Sequence, residues 1–227
     1  MPAILCVGAH PDDEAFGPAG TIARYAAEGV QVDLLTFTKG QHGTRLPPLA
    51  TPEDLGLLRE QELRAAAKVL GVRELTVLDY MDGQLDQAPV DELAAHVSRA
   101  LERGGADTMI SFGPTGITRH GDHIAVHKAV RQAIERSSSP LRLFYQAVEG
   151  EFAERLQVEG PEREPTHRID ISAYLHLKLT ALACHSSQED AREFFLELVK
   201  HGQSEEPFHR ALPPATDGRM RRDLFED

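Results

Sequence analysis

Cysteine is scarce in this 227-residue chain: the two present, Cys6 and Cys184, are too few and too far apart for a disulfide framework. Cys6 falls inside an apolar stretch, where it reads as a small buried hydrophobe. A reducing cytoplasm is therefore the expected compartment. Long hydrophobic runs are missing as well. No stretch approaches the roughly 20 apolar residues of a membrane span, and Met1 leads into a core strand without an export signal, so a soluble, unexported protein is expected, with no membrane partner. Cations are in deficit: 24 Lys and Arg against 36 Asp and Glu leave a net charge of -12, which argues against nucleic acid as a partner and for a small, neutral or mildly polar molecule. A glycine-rich nucleotide loop is also absent, because His10-Pro11 follows Gly8 where a second glycine would have to admit a pyrophosphate. Neither an internal repeat nor a low-complexity linker divides the chain, and residues 1–227 are expected to form a single domain. Oligomeric state is not written in the sequence; a homo-oligomer is compatible with it.

What is present is a regular alternation. Apolar, strand-like runs at 3–7, 32–37, 75–78, 108–112 and 141–147 are separated by segments of helical periodicity at 19–28, 55–70, 90–102 and 124–136, with Gly29, Gly71 and Gly104 as helix stops. This is the βαβ pattern, and handedness favours an α/β fold with a doubly wound, mostly parallel sheet and helices on both faces. In such a sheet strands one and four commonly flank the reversal of strand order, with ligands beyond their carboxyl ends. A short strand at 168–171 and helices at 172–182 and 189–200 should follow. Two irregular segments, 40–53 around Arg45 and 149–166, have the length of binding loops. The tail from Gln203 has weak periodicity and is expected to be partly mobile.

Two clusters carry chemistry. Ala9-His10-Pro11-Asp12-Asp13-Glu14 follows the first apolar run, and His120-Gly121-Asp122-His123 follows the fourth. A catalytic zinc takes three nitrogen or oxygen ligands and keeps a place for water; His10, Asp13 and His123 meet that count. Two histidines and a carboxylate also suit iron(II). Bound metal lowers the pKa of its water from 15.7 to about 7 and polarises a carbonyl, as amide hydrolysis requires. Asp12 is then available to take the proton, His120 to assist the oxyanion or the leaving amine, and Asp122 to fix a histidine tautomer. Spacing alone does not choose among His120, His123 and His127, since 123 and 127 are four apart on a helix and can chelate together. The bland alternative makes Asp12, Asp13 and Glu14 a solvated acidic turn before a helix. His42, His96, His167, His176, His201 and His209 read as surface or packing residues. Cys184-His185 is a poor nucleophilic dyad because adjacent side chains point apart.

These two clusters resemble the LmbE-like, or PIG-L, family of metal-dependent N-acetylglucosaminyl deacetylases. Arg59-Glu60-Gln61-Glu62-Leu63 before Leu70-Gly71-Val72, Asp82-Gly83-Gln84-Leu85, and Lys178 to Gln188 ending in His185-Ser186-Ser187-Gln188 extend the likeness over most of the chain. The resemblance implies a Rossmann-like sheet and hydrolytic removal of acetyl from a GlcNAc moiety. It further implies that His10, Asp13 and His123 bind zinc, that Asp12 is the general base for the zinc-activated water, that His120 assists, and that Arg59 and Asp82 match positions contacting the sugar. Two departures stand out: Thr118 replaces a tyrosine found in some members, and Gly121 replaces a frequent proline. The expected activity is therefore deacetylation of a small-molecule GlcNAc conjugate. An amidase for cysteinyl-sugar conjugates and a noncatalytic sugar-binding protein are the alternatives.

Overall fold

The computed structural model describes residues 2–43 and 51–226. Strand β1 (Ala3–Gly8) is buried along its whole length. Because successive side chains of a strand leave on opposite sides, Ile4 and Cys6 join one apolar cluster and Leu5 and Val7 the other. Burial on both faces makes β1 an interior strand of the sheet. The further strands are β2 (Gln31–Thr38), β3 (Glu74–Tyr80), β4 (Thr108–Ser111), β5 (Arg142–Gln146), β6 (His167–Asp170) and β7 (Glu205–Leu212), in the spatial order β3-β2-β1-β4-β5-β7-β6. β1 to β5 run parallel, with Ile4 opposite Val32 on one side and Thr108 on the other. β7 lies antiparallel between β5 and β6.

The helices are α1 (Asp13–Phe16), α2 (Ala19–Ala27), α3 (Pro52–Leu70), α4 (Val90–Gly104), α5 (Gly116–Arg119), α6 (Gly121–Arg136), α7 (Gly150–Arg155), α8 (Leu175–Cys184) and α9 (Glu189–His201). Ile22 of α2, Leu63 and Leu70 of α3 and Leu182 of α8 cover the Ile4 face. Leu93 and Val97 of α4 and Val126 and Val130 of α6 cover the Leu5 face. Local chemistry sets the ends of α3: the Thr51 hydroxyl accepts the Asp54 N–H at 3.1 Å, Pro52 opens the helix, and Gly71 closes it at φ 77°. Among the described residues no helix is long and apolar enough to cross a membrane.

From β1 the chain steps outward to β2 and β3, then returns to β4 on the other side of β1. The reversal therefore opens a crevice at the carboxyl ends of β1 and β4, where both sequence clusters lie.

Two expectations are corrected. The tail is not loose, because 205–212 is strand β7. Its burial alternates with period two, but the inward positions are Glu206, Phe208 and Arg210, so a hydrophobicity pattern cannot reveal it. The 149–166 segment contains α7 and a 3-10 turn at Gly160–Arg163. Arg45, with residues 44–50, lies outside the described residues.

Candidate active site

Beyond β1 the backbone folds over the side chain of Asp13, whose Oδ2 accepts the N–H groups of Ala9 and His10, both at 2.8 Å. Oδ1 is left facing His123 Nε2 at 3.4 Å. The carboxyl is held well below the usual range, since His123 and His10 outweigh the cost of burying it. Pro11 blocks helix continuation, and Asp12 sits at φ 115°, a left-handed conformation costly for any residue with a Cβ. Its carbonyl receives the N–H groups of Ala15 and Phe16 at 2.8 and 2.9 Å.

His120 and His123 belong to the start of α6. His120 caps the helix, its Nδ1 accepting the Asp122 N–H at 3.2 Å. His123 points its Nδ1 at the Gly116 carbonyl at 3.0 Å and stacks on Phe112 with ring centroids 3.9 Å apart. A carbonyl only accepts, so the proton of a neutral His123 ring is on Nδ1 and the Nε2 lone pair faces the crevice. His10 is fixed in the opposite sense. Its Nε2 lies 3.0 Å from both Asp82 Oδ1 and Asp122 Oδ2, which requires a proton there, so that in the neutral ring the lone pair is on Nδ1. Burial disfavours charge on His10, but the two carboxylates win and lift its pKa to about 10.

His10 Nδ1 and His123 Nε2 are 3.3 Å apart, and Asp13 Oδ2 is 3.9 Å from His10 Nδ1. With His10 protonated, its Nδ1–H points at the His123 Nε2 lone pair beside the Asp13 carboxylate, and a divalent cation would take the place of that proton. The donor set suits a divalent ion bound by nitrogen and oxygen, with carboxylates behind the histidine. His120 completes a three-histidine group with His10 and His123; its ring centroid is 4.8 Å from that of His10. His127 does not join, because its Nδ1 faces the Phe112 carbonyl at 3.1 Å and its ring packs edge-on against Tyr145.

Asp122 is anchored by the N–H groups of Gly83 at 2.7 Å and Leu85 at 3.0 Å. Asp82 accepts the His42 N–H at 3.0 Å, and its carboxyl is held down at about 2 because the His10 contact outweighs its burial. Arg59, buried on α3, donates Nη1 to the Gly40 carbonyl at 2.8 Å and Nη2 to the Pro11 carbonyl and Asp12 Oδ2 at 2.6 and 2.9 Å. A Cβ at Gly40 or Gly43 would collide with this guanidinium, which explains both glycines. Burial pushes the Asp12 carboxyl up to about 6 although Arg59 opposes it. His120 is shifted the other way, below its ordinary value, by burial and by the neighbouring His10 and His123.

Reading the sequence alone names Glu14, Glu62 and His185 within its motifs but assigns none of them a role at the site. Glu14 accepts His185 Nε2 at 2.6 Å and the Asp12 N–H at 3.1 Å. Glu62, one turn after Arg59, takes the Ser186 hydroxyl and the Ser187 N–H and hydroxyl at 2.6–3.0 Å. The usable signal was a polar run, His185 to Gln188, closing an apolar helix. The 149–166 segment meets the site indirectly, through Glu162, which accepts the Thr115 N–H and hydroxyl at 2.7 and 2.8 Å ahead of the Gly116 turn.

A family model described as GlcNAc-PI de-N-acetylase (PIG-L) matches residues 5–134. The chain is 35% identical to the probable N-acetyl-alpha-D-glucosaminyl L-malate deacetylase 2 of Bacillus anthracis, over 82% of this chain and 80% of that protein. It is 33% identical to the 1D-myo-inositol 2-acetamido-2-deoxy-alpha-D-glucopyranoside deacetylase of Actinosynnema mirum, over 82% of this chain and 81% of that one. In fold it is similar to the N,N'-diacetylchitobiose deacetylase of Pyrococcus horikoshii, with a TM-score of 0.74 and 23% identity over 92% of this chain and 83% of that chain.

Proposed function

This chain belongs to the PIG-L family of de-N-acetylases, and from that premise we propose that it removes the N-acetyl group from a small GlcNAc-containing conjugate by metal-assisted hydrolysis, with 1–227 acting as one catalytic domain. The observation that carries the reading is the convergence of His10 Nδ1, His123 Nε2 and Asp13 beside the restrained carboxylate of Asp12. His10, Asp13 and His123 would hold a divalent ion, zinc or iron(II), which when bound would supply Lewis acidity to the acetyl carbonyl and lower the pKa of water.

The remaining chemistry belongs to side chains. Asp12 removes a proton from water as its oxygen attacks the acetyl carbon. The His120 proton sits on Nε2, because Nδ1 accepts a backbone N–H; His120 therefore donates a hydrogen bond to the developing oxyanion but has no second proton to release. Asp12 then returns its proton to the sugar nitrogen as the C–N bond breaks, giving the amine and acetic acid, whose remaining proton passes to the amine to leave acetate and the ammonium form. Arg59 holds Asp12, and Asp82 with Asp122 holds His10; these contacts account for Arg59 and Asp82 without requiring either to touch the sugar.

The curated relatives named for GlcNAc joined to malate and to inositol define the substrate class to test. Metal-stripped protein should release no acetate from either compound, and reloading with zinc or, under anaerobic conditions, iron(II) should restore release. Bound metal at one per chain with no acetate from either compound would overturn the deacetylase reading.

A further inference from the structure

Asp12 is held in a conformation that its own residue type disfavours, with φ 115° and ψ -23°. Such a conformation persists only where its surroundings over-determine it. Arg59 grips the side chain and the preceding carbonyl. The Asp12 N–H is held separately, by Glu14 Oε2 at 3.1 Å. The other oxygen of that carboxylate, Oε1, is taken by His185 Nε2 at 2.6 Å, with both side chains at most 1% exposed. Among the described residues Nδ1 of His185 has no partner, so the proton that matters is the one on Nε2.

His185 is itself located by a second pair of contacts. It caps α8, its N–H bonded to the Leu182 carbonyl at 3.1 Å. The next two residues bind Glu62, which lies three residues beyond Arg59 on α3. The contacts form a closed circuit: Asp12 to Arg59, along α3 to Glu62, across to Ser187, back to His185, and through Glu14 to the Asp12 N–H.

We infer that His185 and Glu14 are positioning residues for the hydrolysis, holding the strained Asp12 backbone so that its carboxylate is aimed at the attacking water. This rests on the role given to Asp12 above. Glu14 suits the task because a carboxylate offers one oxygen to Asp12 and the other to His185; a glutamine carbonyl can serve only one of them.

The test is a mutant cycle on the metal-loaded enzyme. His185→Leu should lower kcat about 10–100-fold, with KM within about twofold and one metal per chain. His185→Gln, which keeps an N–H donor, should recover most of the loss. In an Asp12→Ala background, His185→Leu should have less than about a twofold effect on residual turnover, since residues acting through one group are not additive. An equal fold loss in both backgrounds would overturn the inference. If His185→Leu does not fold, Glu14→Gln takes its place in the cycle with the same expectations. A crystal structure of the folded variant decides independently of turnover: Asp12 should leave its left-handed conformation and its Arg59 contact should open, and an unchanged Asp12 would refute the role. If wild-type protein proves inactive on both sugars, the deacetylase reading fails while this arm still decides the positioning.

Discussion

His167, in β6, links pH to folding at a distance from the crevice. Its side chain is fully buried, with Nδ1 2.8 Å from the Thr166 hydroxyl and the ring edge-on to Phe144 at 4.8 Å. Burial, followed by the nearby Arg221 and Arg210 and only partly offset by Glu226 and Asp223, pushes its pKa down from 6.5 to about 4. Between those values the unfolded chain carries a proton on this residue and the native chain does not, so stability rises with pH across the interval. The contribution is complete above 6.5 and is lost as pH falls through that value towards about 4. At roughly 1.4 kcal/mol per pH unit the whole passage is worth about 3 kcal/mol, of which about 2 is lost by pH 5. His167→Gln removes the titration and adds a constant packing penalty. Urea unfolding of both proteins at pH 8, 7, 6 and 5 should therefore show the wild-type advantage shrinking by about 2 kcal/mol, or the variant overtaking. Two curves that stay parallel to pH 5 would show that His167 titrates normally in the native state.

His123→Ala should abolish stoichiometric zinc binding while His127→Ala retains it; elemental analysis after gel filtration decides, and retained zinc in the first variant would place His127 among the ligands. Asp122→Asn keeps the shape behind His10 but loses the charge, and should weaken metal affinity about 10–100-fold, measured by competition with a chelating dye. Lys178→Met strands Glu206 in the protein interior, where the pair is 2.6 Å apart and each side chain 5% exposed, and should cost about 3–5 kcal/mol of stability in urea titrations. A change below about 1 kcal/mol would show that Lys178 is dispensable to this packing.

The central half of the fold was legible because apolar patterning and burial coincide there: β1 to β5 read as apolar runs, and the longer helices between them, α2, α3, α4 and α6, show helical periodicity, whereas the single turns α1 and α5 do not. β7 was hidden because its inward positions Glu206 and Arg210 are charged and satisfied by partners far along the chain, Lys178 and the Glu226 carbonyl. For the site, the two clusters were visible because their members are adjacent in sequence. The choice between His123 and His127 was not, since both lie on one face of α6. It depends on Gly116 and Phe112, whose carbonyls fix the two rings in different directions. The roles of Glu14, Glu62 and His185 stayed hidden for the same reason as β7: they depend on partners up to 171 residues away.

The unforeseen strand and the unforeseen residues are connected. Glu206 of β7 accepts the N–H groups of Gly20 and Thr21 at 2.9 and 2.7 Å, at the start of α2, and binds Lys178 at 2.6 Å. Lys178 also donates to the Phe16 and Gly17 carbonyls at 3.2 and 2.7 Å, where the turn leaves α1. One carboxylate therefore ties α2, α8 and the end of α1 together. His185 sits at the C-terminal end of α8 and Glu14 lies within α1, so their 2.6 Å contact depends on those two helices being held in register. The antiparallel extension at the edge of a parallel sheet is thus part of what fixes the geometry at Asp12, acting through Glu206 and Lys178. A strand that hydrophobic periodicity cannot detect, because it is built around buried charge, supports the site through that charge.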